Sequence, residues 1–196
     1  TLKGNAAFVP AWFSQPKSST ATVSGEQALR QIFDQRDAKR AVKVVLNKDR
    51  LSIGRDTLDL TVQSERSGFL YVVMAGSDNQ TLTLLFPNDL DQNNRISAGQ
   101  NVWLPRSGWR VKAAGPAGTD ALLVVVTDSP RNLAELAAQP GSNKSGPFVR
   151  SLNDAKGRTM LGKLMTSGVP AAECAKPGFA CSDAYGASMV SVEEFN

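Results

Sequence analysis

The sequence predicts a mainly β protein with peripheral helices (an α+β fold), built as an antiparallel β-sandwich or a barrel-like sheet. Three observations predict this class. Roughly eight short apolar runs are separated by turn residues at intervals of roughly 8–12 residues, and no strand–helix–strand unit lies between them. The stretch Ser67–Pro87 consists of two such runs joined by a polar turn, so we expect it to be a central β-hairpin.

The chain of 196 residues is expected to form one domain with extensions. Residues 1–23, which contain Pro10, Pro16 and the polar run Lys17–Thr20, predict an extended N-terminal arm. Residues 24–196 predict a single β-rich domain, in which residues 131–196 form a helical and disulfide-loop extension.

Three helices are predicted at the periphery. Ser24 is an N-cap candidate and Gln27 completes a capping box, so an amphipathic helix is expected to run to about Arg36. Ser129 is expected to cap a second, short helix, with Pro130 in its first helical position. A third helix is predicted near residues 158–166.

After residue 41 the apolar residues recur with a period of two, which predicts strands. The runs Phe69–Met74 and Ala121–Thr127 are apolar on both faces, so we expect them to be central strands covered on two sides. Leu82, Leu84 and Phe86 are expected to share one face, because side chains alternate along a strand. The other strands are predicted at residues 41–46, 58–62, 102–104, 109–111 and 185–195, with a short one at Ile96. Residues 51–54 are expected to form either a second short strand or a bulge, and residues 142–146 a flexible loop.

Composition excludes several kinds of function. The chain contains no histidine, which excludes Ser–His and Cys–His nucleophile pairs and His-ligated zinc. The net charge is +4, and the basic residues are scattered along the chain, so we expect no nucleic-acid binding. We also expect no cofactor and no metal.

The two cysteines, Cys174 and Cys181, lie on either side of a Pro177-Gly178 turn. Their spacing is not that of a redox or zinc pair, and no other cysteine or histidine could complete a metal site. We predict a disulfide rather than two unpaired thiols. A disulfide here indicates an oxidising compartment.

Several short sequence motifs in the middle of the chain resemble those of a known family. They are, in order, Leu51–Asp56, Gly68–Val72, Leu85–Asn88, Ile96–Gly99 and Pro116–Asp120. In this order and spacing, they resemble the bacterial family known as domain of unknown function 4384, over a family-like core of about residues 40–130. Domains of this family lie C-terminal to membrane Ser/Thr kinases, some of them associated with type VI secretion, and to caspase-like proteins. The resemblance implies an extracytoplasmic module, and the family supplies no catalytic residues.

Trp103, Arg106, Trp109 and Arg110 form the predicted ligand- or partner-binding cluster around a Pro-Arg-Ser-Gly turn. Trp and Arg are enriched in binding hot spots, and aromatic rings also stack on sugars. The alternative is that the two tryptophans pack across neighbouring strands, with exposed arginines beside them.

The loop Asp89–Asn94 has the D-x-D-x-N spacing that opens a calcium-binding loop. Asn94 and Gln100 occupy the positions where an EF-hand loop has its glycine and its glutamate. A hydrogen-bonded turn rich in Asp and Asn is therefore expected, with calcium binding left open.

Together these observations predict a non-enzymatic periplasmic domain, sensory or protein-binding, in a larger bacterial signalling or secretion-associated protein such as a membrane Ser/Thr kinase. Its partner would be a protein or a cell-wall-derived ligand, and membrane contact would come only through a tethered upstream segment. The alternatives are a carbohydrate-binding or structural envelope module and a hydrolase that uses Asp89, Asp91 or Asp120.

Overall fold

The computed structural model describes residues 23–138, 140–167 and 182–196. The predicted arm, except Val23, and both cysteines lie outside these ranges. The three helices are α1 (Gly25–Asp34), α2 (Leu133–Ala137) and α3 (Ala155–Thr166). The strands are β1 (Val42–Leu46), β2 (Arg50–Ser52), β3 (Leu60–Ser64), β4 (Gly68–Ala75), β5 (Thr81–Phe86), β6 (Arg95–Ile96), β7 (Asn101–Leu104), β8 (Gly118–Thr127), β9 (Asn143–Ser145), β10 (Phe148–Leu152) and β11 (Tyr185–Phe195).

The strands form two sheets, which confirms a mainly β fold with peripheral helices. The large sheet has eight strands in the order β2-β11-β8-β4-β5-β10-β9, and β6 pairs with the start of β4. Its pairings are antiparallel except for β2 with β11, which is parallel. The small sheet is antiparallel and has the order β1-β3-β7.

The large sheet is covered on both faces, as the two fully apolar runs predict. Along β8, Leu123 and Val125 join the core beneath the three helices, whereas Leu122 and Val124 join the core beneath the small sheet. Residues of β4 alternate between the two cores in the same way. The result is three layers: helices, large sheet and small sheet.

The expectation that Leu82, Leu84 and Phe86 share one face was wrong for Phe86. Val73 pairs with Leu84 and Val72 pairs with Phe86, so Leu85 is an extra residue that forms a bulge in β5. The bulge reverses the alternation, because one inserted residue moves each later side chain to the opposite face. Phe86 therefore packs beneath the small sheet, and Leu82 and Leu84 pack beneath the helices.

Four local predictions also need correction. The predicted flexible loop at residues 142–146 contains β9, which forms a hairpin with β10, a strand that apolar patterning did not reveal. Residues 109–111 form no strand. Ser129 does not cap α2, which begins at Leu133, because its hydroxyl group donates to the carbonyl of Ser182. Helix α3 begins at Ala155, and Asp154 caps it by accepting from the N–H of Gly157 at 2.7 Å.

The capping box of α1 is confirmed, with Ser24 and Gln27 each accepting from the other's backbone N–H. None of the helices in the described ranges has the length and apolar character needed to cross a membrane. The small sheet is covered on one face only, and side chains on its other face are partly or largely exposed.

Candidate functional site

Asp91 joins the loop rich in Asp and Asn to the Trp–Arg turn. Its carboxylate accepts from Nε of Arg106 at 2.7 Å and from the indole Nε1 of Trp109 at 3.0 Å. A second guanidinium nitrogen of Arg106 also donates to Asp91, so the ion pair is bidentate. Two features that the sequence presents separately thus meet at one carboxylate.

Trp109 belongs to the core. Its side chain is 6% exposed, it stacks on Phe86 with ring centroids 6.2 Å apart, and it meets Phe148 edge to face at 5.8 Å. The guanidinium of Arg106 lies 5.0 Å from the centre of the Phe86 ring. Trp109 and Arg106 therefore hold the Asp91 loop against the small-sheet core.

Trp103 has the opposite environment. It lies on β7 at the edge of the small sheet and is 67% exposed, and Arg110 is exposed beyond the turn. The four predicted binding residues therefore do not form one surface. The alternative, in which the two tryptophans pack against each other across strands, does not hold either, because Trp103 pairs with Thr61 and points away from the core.

The exposed side of the small sheet, which we call the outer face, carries two rows of side chains. Cross-strand pairing puts Val45, Thr61 and Trp103 in one row. The next row consists of Lys43, Gln63 and Asn101. At the end of the strands, an open depression of about 360 Å³ lies beside Trp103 and is bounded by Asn47, Asp59 and Pro105.

Comparison with protein families identifies the middle of the chain. Residues 51–130 match the model of a family described as domain of unknown function (DUF4384). This segment of the chain belongs to the DUF4384 family. Searches of curated proteins and of solved structures found no match. The DUF4384 segment contains Asp91, Trp103, Trp109 and strands β3 to β8, whereas β1, β9 to β11 and all three helices lie outside it.

A second concavity, of about 510 Å³, lies at the boundary of the DUF4384 segment. It is enclosed by the 87–94 loop, α2 and the β9–β10 hairpin, and its floor is formed by Tyr71, Leu84 and Val149. An ion pair between Lys144 and Asp89 lies among the residues that line it, with a separation of 2.6 Å. Sequence patterns did not predict this cleft, because its walls come from segments far apart in the chain.

Tyr71 and Arg131 are the buried polar residues next to this cleft. The hydroxyl oxygen of Tyr71 accepts from the backbone N–H of Arg131 at 2.8 Å, and burial raises the pKa of Tyr71. Nη2 of Arg131 donates to the carbonyls of Met165 at 3.1 Å and Asp183 at 3.2 Å, and burial lowers the pKa of Arg131. Arg131 thus ties the end of α3 to the residues before β11.

The three carboxylates named for the hydrolase alternative do not converge. Asp89 pairs with Lys144, and Asp91 pairs with Arg106. Asp120 lies elsewhere, beside Glu194, and accepts from the N–H of Ser77 at 2.8 Å. Within the described ranges no group of three or more potential metal ligands is arranged to hold an ion. The two carboxylates of the predicted calcium loop are each held by a cation.

We predict that Asp91→Ala lowers the free energy of unfolding by about 3 kcal/mol, because it leaves Arg106 and the indole N–H of Trp109 without their shared acceptor. Urea denaturation measures the change. Asp89→Ala is the matched control: it removes an exposed ion pair two residues away and should cost less than about 1 kcal/mol. Equal costs for the two variants would contradict a structural role specific to Asp91.

Proposed function

We propose that this chain is a non-enzymatic, extracytoplasmic binding domain of a larger bacterial signalling or secretion-associated protein, such as a membrane Ser/Thr kinase. Its partner contacts the outer face. The observation that carries the proposal is the position of Trp103, which lies largely exposed on this face beside Val45 and Thr61.

An exposed tryptophan is a strong indication of a contact surface, because Trp has a large apolar area and is over-represented in binding hot spots. The large apolar side chains exposed in the described ranges are Val45, Leu90, Trp103 and Leu152. Only Val45 and Trp103 among them belong to one cross-strand row. The sheet holds this row rigidly, which lowers the entropy lost on binding.

A binding role is also supported by the ion pairs in which two of the candidate catalytic carboxylates take part. Asp89 and Asp91 are paired with Lys144 and Arg106, and burial raises the pKa of the Tyr71 hydroxyl group. A hydrolase would need a carboxylate that faces a substrate, and the larger cleft has at its rim only Asp89, already paired with Lys144. We therefore rank a hydrolase below a binding module.

A cell-wall-derived glycan is the second candidate partner, and the polar neighbours of Trp103 favour it. Thr61, Asn101 and Asn47 carry hydroxyl and amide groups that form no side-chain hydrogen bonds within the described ranges, and Asp59 and Gln63 lie in the same region. A pyranose ring packs its C–H face on an aromatic ring and directs its hydroxyl groups towards such polar side chains. A protein partner would instead cover a larger surface, about 800 Å² on each side.

The periplasmic location is supported by the predicted disulfide between Cys174 and Cys181 and by the context of the family resemblance. In the loop-entropy account a ring of this length contributes about 2.5 kcal/mol of stability. Such a bond persists in the periplasm and is rare in the cytosol.

We predict that Trp103→Ala lowers the affinity for a membrane-free envelope fraction by about 30-fold, the loss expected for a hot spot worth about 2 kcal/mol. Co-sedimentation of the purified 196-residue chain with that fraction measures the affinity. Leu90→Ala is the matched control, because Leu90 is 63% exposed but lies away from the outer face, and it should bind as the unaltered chain does. Equal affinity of the Trp103→Ala and Leu90→Ala chains would overturn the proposed surface.

The same assay separates the two candidate partners. Sacculi freed of protein by detergent and protease retain only the glycan and its peptides. Undiminished sedimentation with these sacculi would identify a cell-wall ligand, and loss of sedimentation would identify a protein partner. In both cases the Trp103→Ala chain should bind more weakly.

We further predict that Cys174 and Cys181 resist alkylation in protein taken from the periplasmic fraction until a reductant is added. A maleimide that adds mass to each free thiol makes the result visible on a gel. Full labelling without a reductant would contradict both the disulfide and the location that rests on it.

A further inference from the structure

Asp120 and Glu194 form a pair of buried carboxyl groups that the proposed function does not use. Asp120 lies near the start of β8 and Glu194 near the end of β11, two antiparallel neighbours. Asp120 is 5% exposed and Glu194 is 9% exposed, and the two side chains line the same small cavity. Two carboxyl groups that share a buried site are expected to hold one proton between them, because the charge of one disfavours ionisation of the other.

Each carboxyl group also holds a separate loop. Asp120 Oδ1 accepts from the backbone N–H of Ser77 at 2.8 Å, in the turn Gly76–Asn79. Glu194 Oε2 accepts from the backbone N–H of Gly115 at 2.6 Å. The hydroxyl group of Ser77 then donates to the carbonyl of Pro116 at 3.0 Å and closes the arrangement. The pair thus connects the end of β11, the 114–117 loop and the Gly76–Asn79 turn.

No cation neutralises the pair among the described residues. The charged side chains that line the same cleft are those of Asp78 from the turn, Lys112 from the segment before Gly115, and Arg150 from β10. Neither Lys112 nor Arg150 forms an ion pair with either carboxyl group in the described part of the chain. Asp78 adds a further negative charge, which disfavours ionisation of Asp120. On β11 itself, Glu193 is directed to Arg50 instead.

We propose that Asp120 and Glu194 form a proton-dependent latch. With one shared proton the carboxyl groups bind each other and hold both loops against the end of β11. Loss of that proton leaves two buried negative charges side by side, and their repulsion releases the 114–117 loop and the Gly76–Asn79 turn.

The direction of the pH dependence follows from the environment of Asp120. Burial raises the pKa of Asp120 from 3.8 to about 6, and the neighbouring charges of Glu194 and Asp78 act in the same direction. Together they outweigh the backbone N–H of Ser77, which stabilises the ionised carboxylate and lowers the pKa. A pKa that is raised in the folded state gives stability that is complete below the ordinary value. That stability is lost as the pH rises from about 4 to about 6, and the latch is open above this range.

The loop held by Glu194 adjoins the segment that supports the entry into β3, and so into the outer face. The effect on binding that follows from this contact rests on the proposed function. Ala113 donates to the carbonyl of Asp56 at 3.0 Å, and Leu58 donates to the carbonyl of Val111 at 2.8 Å. The segment next to the latched loop therefore positions the residues that enter β3, where Asp59 bounds the depression beside Trp103. Opening of the latch would loosen this support and weaken binding at the outer face.

Hydrogen exchange of the Ser77 and Gly115 amides, followed by NMR between pH 4 and pH 7, tests the latch without any ligand. After correction for intrinsic exchange, their protection should fall by up to about 100-fold as the pH rises, since the pKa differs by about two units between the closed and open states. Asp120→Asn and Glu194→Gln should abolish this dependence and keep the amides protected at pH 7, because an amide donates the hydrogen bond at every pH.

Glu193→Gln is the matched control, because it removes one charge from the next residue of the same strand without touching the pair, and it should behave as the unaltered chain does. Protection that does not change with pH in the unaltered chain would overturn the latch. A pH dependence that persists in Asp120→Asn would overturn it too. If neither amide variant folds, a carbon-13 titration of the Asp120 side chain decides: a midpoint near 6 supports the latch, and one near 4 overturns it. The exchange experiment contains no partner. A result that overturns the latch therefore leaves the proposed binding surface untouched, and the Trp103→Ala variant tests that surface separately.

Discussion

The structure depends on two neighbouring strands, β4 and β8, that are apolar on both faces. Leu122 and Leu123 are adjacent in sequence, point in opposite directions and are both fully buried. At about 25 cal/mol for each Å² of apolar surface removed from water, neither face could be left exposed without a large loss of stability. Two covering layers are therefore required, and the chain supplies helices on one side and the small sheet on the other. The outer face exists because the small sheet is itself covered on one side only.

The Trp–Arg turn illustrates how local composition can indicate two opposite roles. Tryptophan and arginine in a turn are typical both of an exposed binding hot spot and of a buried structural cluster. The local sequence does not distinguish the two. Asp91 decides the matter here, because its carboxylate accepts from both Arg106 and the indole N–H of Trp109 and holds the indole in the core. Of the two tryptophans, Trp103 is the one whose strand position directs it away from the core and leaves it exposed for a contact. The direction of each side chain is a tertiary property.

Much of the fold could be predicted because its signals are local. The two-sided apolar runs, the capping box at Ser24 and the polar turn of the central hairpin each depend on a few neighbouring residues. The features that the sequence did not predict depend on contacts between residues far apart in the chain or on strand register. The bulge at Leu85 depends on the register between β4 and β5, and β10 contains Arg150, which hid the strand from apolar patterning. The Asp120–Glu194 pair joins residues far apart in the chain, and no spacing rule could find it. The candidate site was predicted in part, since Trp103 was among the named residues but the outer face around it was not.

We propose that the outer face, and not the cluster of Asp91, Arg106 and Trp109, is the contact surface of this domain. Hydroxyl-radical footprinting of the intact chain, with and without a membrane-free envelope fraction, tests it most directly because it reads both tryptophans in one experiment. We expect Trp103 to be oxidised readily in the free chain and to be protected when the envelope fraction is added, while Trp109 reacts slowly in both samples because it is 6% exposed. Undiminished oxidation of Trp103 in the presence of the envelope fraction, with new protection elsewhere on the described surface, would show that the partner does not contact the outer face.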